Sequence, residues 1–231
     1  MDLAANKVYI INTLVVMGIL LLVGLLAASK PKRIPGRLQN VVELVLDGLR
    51  GLFKDALGPN GQHALPLAIT LFLFILLSDI IGQVPGLKSP TATPSTTVGL
   101  GVMVFLYVQY LGIKHNGLWG YLKHFAGPML LLAPLMFVIE IISEIAKPFS
   151  LGMRLFGNIY AEDIINDMAS KVGASIPFIP LPTQFLVYFL QLFTDIVQAL
   201  IFALLTCAYI SLMTPDHHDE EHDPGGAVVP G

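Results

Sequence analysis

One arginine, Arg154, stands inside an otherwise apolar stretch, Ser150-Leu151-Gly152-Met153-Arg154-Leu155-Phe156-Gly157-Asn158, with long apolar segments on either side. A charge at bilayer depth costs about 2.5–3.5 kcal/mol on insertion scales, so a chain keeps one there mainly for function. Arginine cannot escape that cost by losing its proton, because its pKa stays above about 12. Such a residue is a fixed positive charge, suited to pairing with a carboxylate that comes and goes. The alternative is a structural ion pair within the bundle, since Glu140, Glu144 and Glu162 lie near it in sequence.

Other polar residues fall on the same pattern. Asn158 is one helical turn after Arg154 and Glu162 one turn further, so the three share a face, while Asp163 points about 100° away. Downstream, Gln184, Gln191 and Gln198 recur every seven residues and predict one polar stripe, with Asp195 one turn past Gln191. If the two segments form an antiparallel hairpin turning near residue 176, Arg154 and Gln198 are each 22 residues from the turn and sit at similar depth. Gln198 then offers an amide to the arginine, or acts as glue between helices. Glu140 and Glu144 form an acidic i, i+4 pair. They line a hydrated path, or they pair with Lys147 or lipid headgroups. Asp79 lies near the end of an apolar run in Leu76-Leu77-Ser78-Asp79-Ile80-Ile81. There it either mouths an access path or rests at the membrane interface, the reading favoured here.

Membrane-spanning helices must position these groups. The chain has 231 residues, of which 55% are hydrophobic and only 13% charged, with a mean hydropathy of +0.73. Soluble domains carry about 25% charged residues. The expected fold is an all-α polytopic membrane protein with about five membrane-embedded helices. A single integral domain covers residues 1–213, with spans near 8–28, 64–84, 96–113, 129–171 and 182–213. The run Val8 to Ala28 is long enough to cross a roughly 30 Å hydrocarbon core. A signal peptide is the rival, but its basic residues would precede the apolar run. Here Lys30, Lys32, Arg33 and Arg37 follow it, which places that end in the cytoplasm and the N-terminus outside. Lys114, His115, Lys123 and His124 return positive charge to the inside.

Between the first two spans, Val41, Val42, Val45, Leu46, Leu49, Leu52 and Phe53 recur at helical spacing among Glu43, Asp47, Arg50 and Lys54. That predicts an amphipathic helix over 38–57 on the cytoplasmic interface, ended at Gly58-Pro59-Asn60-Gly61. The segment 129–171 is the odd one. Forty residues at about 1.5 Å each give about 60 Å, twice the hydrocarbon thickness, so it breaks near Lys147-Pro148 or lies strongly tilted. Prolines in Val172 to Pro182 predict a turn before the last helix. Residues 214–231 are acidic and rich in Pro and Gly, and read as a disordered tail whose His217, His218 and His222 are solvated rather than metal-bound. Cys207 has no second cysteine to pair with and reads as a small core residue.

Two segments carry a family resemblance. The run KPFSLGMRLFGNIYAED (Lys147 to Asp163) is similar to the signature of the a subunit of F-type ATP synthases, and LFTDIVQALIFALLTCAYI (Leu192 to Ile210) resembles that family's last helix. The loop PTATPSTTVGLG (Pro90 to Gly101) is a weaker match. The resemblance implies a stator subunit of the proton channel. Its last two long helices form a tilted hairpin against a ring of c subunits, with b subunits of the peripheral stalk and the other synthase subunits as further partners. Two offset half-channels carry protons, and Arg154 separates them and couples translocation to rotation. The proton path implied is Asn158, Glu162, Asp163, Gln191, Asp195, Gln198, Glu140 and Glu144. Where many members read Ala-Gly-Glu, this chain has Ala161-Glu162-Asp163, like the chloroplast-type members. Many also place His or Glu where Gln191 stands. Glutamine cannot titrate, and Asp195 is the candidate to supply the missing acid. Gly152 and Gly157 flank Arg154 and would admit a close helix, from the ring or from this chain.

The sequence has no phosphate loop, zinc spacing or nucleophile constellation, so the chain is expected to be non-catalytic, with no cofactor, metal or nucleic acid. A bacterial cell membrane is the expected location, with the C-terminus cytoplasmic. The alternatives are a stand-alone ion-coupled secondary transporter, which would be expected to show a repeat and a broken-helix site, and a membrane scaffold, which would tolerate loss of Arg154.

Overall fold

A computed structural model describes residues 3–28, 37–59, 61–84, 87–126, 133–175 and 180–214. Six α-helices follow in order: α1 (Leu3–Ala28), α2 (Arg37–Leu57), α3 (Leu65–Gly82), α4 (Pro94–Ala126), α5 (Ala133–Ser175) and α6 (Pro180–Met213). Two short 3₁₀ turns, Gln62–Ala64 and Pro90–Ala92, introduce α3 and α4. No strand forms among the described residues, and the all-α expectation holds.

Among the described residues, four segments are long and apolar enough to cross a membrane: Val8–Leu25, Gln62–Gly82, Pro94–His115 and Phe185–Met213. Helix α5 is the charged exception, because Glu140, Glu144, Lys147, Arg154, Glu162 and Asp163 interrupt its apolar surface. It runs as one element of 43 residues through Pro148, about 65 Å at the α-helical rise. Of the two sequence alternatives, the unbroken helix is the one adopted. It also extends to Ser175, into the segment expected to turn; residues 176–179 lie outside the described residues. Pro180 and Pro182 fall in the first turn of α6, where a missing N–H costs nothing.

Helix α2 forms where the amphipathic spacing predicts, and Gly58 ends it with a positive φ of 66°. Its Leu49, Phe53 and Leu57 are buried in a core built with α3 and α6, where Phe53 meets Phe72 edge-on at 6.2 Å. That face therefore packs on protein, while Val41, Leu44, Val45 and Leu52 of α2 stay exposed. Gly117 interrupts α4 at φ 68°, ψ 165°, a conformation open essentially only to glycine, so the spanning part of α4 ends just after His115.

The closest crossing joins α4 to α5. A Cβ built on Gly101 would lie 2.5 Å from the carbonyl oxygen of Pro148, and one on Gly152 would lie 2.9 Å from that of Thr97. Neither position has room for a side chain. Leu151, Leu155 and Ile159 turn the same face of α5 into the core, which also holds Ala199, Phe202 and Ala203 of α6. On the other side α5 and α6 expose a broad apolar surface that includes Ile145, Phe149, Met153, Tyr160, Phe189 and Phe193.

Candidate functional site: a polar route through an apolar bundle

The polar residues gather at two levels along α5, with Arg154 between them. Toward one end of the bundle, α1, the C-terminal end of α3, the second half of α5 and the first half of α6 enclose a cavity of about 250 Å³, room for several water molecules. Tyr9, Gln83, Lys88, Glu162, Asp163 and Gln191 are among its walls. Asn158 Nδ2 donates to Glu162 Oε1 at 2.8 Å, so two of the three residues expected on one face meet, and Arg154 makes no bond to either. Gln191 Nε2 donates to the backbone oxygen of Glu162 at 3.1 Å. Asp195, fully buried behind this wall, accepts from Gln83 Nε2 at 2.5 Å and lies within hydrogen-bonding reach of the Glu162 carboxyl. Asp163 is more exposed, at the rim near Lys88.

Asp79 joins this group, which corrects the interface reading favoured from sequence. It is 4% exposed, lines the cavity and accepts from Thr91 Oγ1 at 2.5 Å. The reason is local. The 3₁₀ turn Pro90–Ala92 folds back over the end of α3, bringing Ser89 and Thr91 onto it, and Ser89 Oγ donates to Ser78 O at 3.0 Å. A buried carboxylate needs such donors. From α1, Asn12 Nδ2 ties down the same loop by donating to Lys88 O at 2.7 Å, and Lys88 Nζ lies over the Tyr9 ring, 5.9 Å from its centroid.

At the opposite end, Glu144 is 4% exposed and makes an ion pair with Lys147 while accepting from Gln109 Nε2 at 2.8 Å. Lys147 Nζ lies over the Tyr209 ring, 5.7 Å from its centroid. Glu144 thus adopts the Lys147 pairing that the sequence left open; Glu140 is half-buried one turn earlier. The space beside Glu144 and Tyr209 is only about 10 Å³, too small for a chain of waters.

Arg154 stands between the two levels, roughly 15 Å along α5 from Glu144 and 12 Å from Glu162 at the helical rise. Its side chain is exposed, and among the described residues it makes no ion pair or hydrogen bond. The internal ion pair that competed for Arg154 is therefore not formed: Glu144 is taken by Lys147 and Glu162 is turned to Asn158. Gln198 is 7% exposed with an unpartnered Nε2 and is not hydrogen-bonded to Arg154, so similar depth did not mean contact. Gly152 is used inside the chain against α4, whereas Gly157 has nothing within 4 Å of a built Cβ. The Gln184 side chain lies outside the described residues, as do Lys30, Lys32, Arg33 and the tail beyond Thr214. Cys207 is buried in the core as expected. Among the described residues no cluster of three or more His, Cys, Asp or Glu could hold a metal.

Comparison with known proteins decides the family. The model of the ATP synthase A chain matches residues 10–211. The chain belongs to the ATP synthase A chain family. Its ATP synthase relatives include "ATP synthase subunit a" of Nitratidesulfovibrio vulgaris (strain DP4), 41% identical over 202 residues, covering 87% of this chain and 84% of that one. "ATP synthase subunit a" of Trichlorobacter lovleyi is 38% identical over 218 residues, covering 94% and 90%, and that of Protochlamydia amoebophila is 39% identical over 213 residues, covering 88% and 79%. As an F-type ATP synthase a subunit the chain is a non-catalytic, proton-translocating membrane component of the Fo sector.

Sequence reasoning missed Gln83, Lys88, Ser89, Thr91 and Asn12. Two of them carried a readable signal. Gln83 is one turn after Asp79, and Asn12 is an amide inside an apolar span, where a polar group needs a partner.

Proposed function

We propose that the chain is the stator half of a proton-driven rotary coupling, with two offset half-channels separated by Arg154. Protons enter from the outer side through the cavity lined by Glu162, Asp163 and Gln191, with Asn158, Asp195 and Gln198 continuing the path inward. They leave toward the cytoplasm past Glu144 and Glu140, where this chain alone leaves only about 10 Å³ and the ring face has to complete the exit path. A ring of c subunits, each carrying one carboxyl, turns against the exposed apolar surface of α5 and α6. A ring carboxyl arriving beside Arg154 is driven to ionise, because a nearby opposite charge favours the charged form. It then passes the arginine and is reprotonated from the other half-channel before re-entering lipid. Each proton falling through 100 mV supplies about 2.3 kcal/mol. The b subunits hold the chain against rotation. Basic residues after α1 and after the α4 span support an outer N-terminus and a cytoplasmic C-terminus in a bacterial cell membrane.

The observation that carries this reading is Arg154 itself, exposed and without a partner among the described residues, on a helix whose inward face beside it is filled by Leu151, Leu155 and Ile159. A buried-depth charge left unpaired within its own chain points to a counter-charge brought by another. Arginine suits the role better than lysine because it cannot lose its proton to the path. The test is ATP-driven proton pumping in inverted vesicles, comparing native with Arg154→Ala at equal levels of assembled complex. Loss of pumping is expected; pumping that survives the substitution refutes the assignment.

A further inference from the structure

We propose that Glu162 and Asp195 work as one carboxyl pair that holds a single shared proton, and that this pair is the proton-storing step of the outer half-channel. The inference rests on the functional reading above and adds to it a unit in which neither acid acts alone. Three observations carry it. First, the two carboxyls, from different helices, lie within hydrogen-bonding reach of one another. Two carboxylates cannot make that contact while both are ionised, since neither has a hydrogen to donate; one proton between them turns repulsion into a hydrogen bond.

Second, the partners around the pair satisfy its outer oxygens and leave room for that one proton. Asn158 donates to Glu162 Oε1 at 2.8 Å and Gln83 to Asp195 Oδ2 at 2.5 Å. Asp195 Oδ1 is buried without any N–H or O–H donor, so a carboxyl hydrogen is what it lacks. Third, no cation neutralises the pair: neither acid forms an ion pair among the described residues. The charged and titratable groups facing it are Asp79 from α3, Asp163 from α5, Lys88 from the loop before α4, and Tyr9 and Tyr188 on the cavity wall. Lys88 is set toward Asp163 and Tyr9, leaving the pair to balance its own charge.

The proton count follows. At rest the pair carries one proton and one negative charge. A proton from cavity water, reaching Glu162 on the cavity side, makes both carboxyls neutral. Loss of one proton toward a ring carboxylate near Arg154 restores the single negative charge. Gln191, which cannot titrate, holds the Glu162 backbone at 3.1 Å and leaves the chemistry to Asp195 one turn away.

The experiment uses the whole synthase in inverted vesicles, with ATP-driven pumping normalised to ATPase activity and to assembled subunit. Glu162→Gln and Asp195→Asn are each expected to lower pumping at least about tenfold, with the double variant within about twofold of the worse single, because groups that act as a unit are not additive. The length-shifting pair Glu162→Asp and Asp195→Glu keeps both acids. Each alone is expected to reduce pumping, and the combined swap, which restores the summed side-chain length, to recover it to within about threefold of native. That rescue would not follow from two independent wall residues, and it keeps the test decisive if a neutral variant fails to assemble. Losses that multiply in the neutral double variant overturn the shared-proton pair, as does a swap no better than its worse single. Arg154→Ala run alongside separates the two levels: an active Asp195→Asn beside an inactive Arg154→Ala sinks the pair alone, while an active Arg154→Ala sinks the reading beneath it.

Discussion

Glycine substitutions on the two sides of α5 should have effects of opposite sign. At the α4–α5 crossing, a Cβ on Gly101 would meet the Pro148 carbonyl oxygen at 2.5 Å. A real contact of this kind needs most of another ångström, and the obstacle is backbone, which cannot rotate aside. The helices must part. Alanine gains about 1 kcal/mol of helix propensity over glycine, and a backbone obstacle at 2.5 Å puts overpacking in the upper part of its range of about 1–3 kcal/mol, so Gly101→Ala should cost about 1–2 kcal/mol. At Gly157 a Cβ meets nothing within 4 Å. Only the propensity gain remains in the free chain, so Gly157→Ala should stabilise it by up to about 1 kcal/mol. If a ring helix closes on this face, the same methyl holds it away, and Gly157→Leu should do so more strongly.

Thermal release of the subunit from purified synthase reads the first effect, and ATP-driven pumping reads the second. A loss of 1–2 kcal/mol in a chain of this size corresponds to a fall in midpoint of roughly 2–8 °C for Gly101→Ala. Gly157→Leu should leave that midpoint unchanged or raised, yet lower pumping per assembled complex. A Gly101→Ala protein as stable as native would refute the close-crossing argument. Native pumping by Gly157→Leu would show that no partner approaches the Arg154 face at backbone distance.

The two carboxylate clusters make further predictions. Thr91→Val removes the hydroxyl that donates to Asp79 Oδ1, and Asp79 Oδ2 is already without a donor; the loss should be about 1–3 kcal/mol, seen as a lower release midpoint, with Thr91→Ser close to native. Lys147→Met leaves Glu144 with Gln109 as its remaining side-chain donor. Breaking a buried pair costs about 3–5 kcal/mol, and the lower end applies because the Lys147 side chain is 26% exposed. Adding Glu144→Gln should recover most of that stability, and a double variant as unstable as Lys147→Met would show that the loss does not come from an unpaired buried carboxylate at Glu144.

The interfacial helix α2 was legible because its pattern and its end rest on local chemistry. The seven apolar positions between Val41 and Phe53 repeat at helical spacing whatever they pack against, and Gly58 can take a positive φ that ends the helix. Asp79 was misread because its donors are not local. Ser89 and Thr91 reach it only when the chain reverses after α3, and no periodicity encodes that reversal. Gln198 shows a different limit. Counting residues from the hairpin turn gives depth along the bundle, and depth leaves the azimuth open. Each residue turns a helix about 100°, so Leu155 can be fully buried while its neighbour Arg154 faces outward.

That same azimuth gives Arg154 its meaning. Three glutamates near it in sequence could each have neutralised it. Glu144 is held by Lys147 and Gln109, and Glu162 is turned to Asn158 on the cavity side. Glu140 lies 14 residues away on α5, roughly 21 Å along the axis. The inward face of α5 beside the arginine is filled by Leu151, Leu155 and Ile159, which leaves no polar site for it to turn toward. Within the described residues the charge therefore has nowhere to go but outward, across an apolar surface made by α5 and α6. An isolated charge on such a surface is costly in lipid, and the same charge opposite a mobile carboxylate is not. The described residues leave this charge without a counter-charge, and in the proposed rotary coupling a carboxylate of a second chain supplies it.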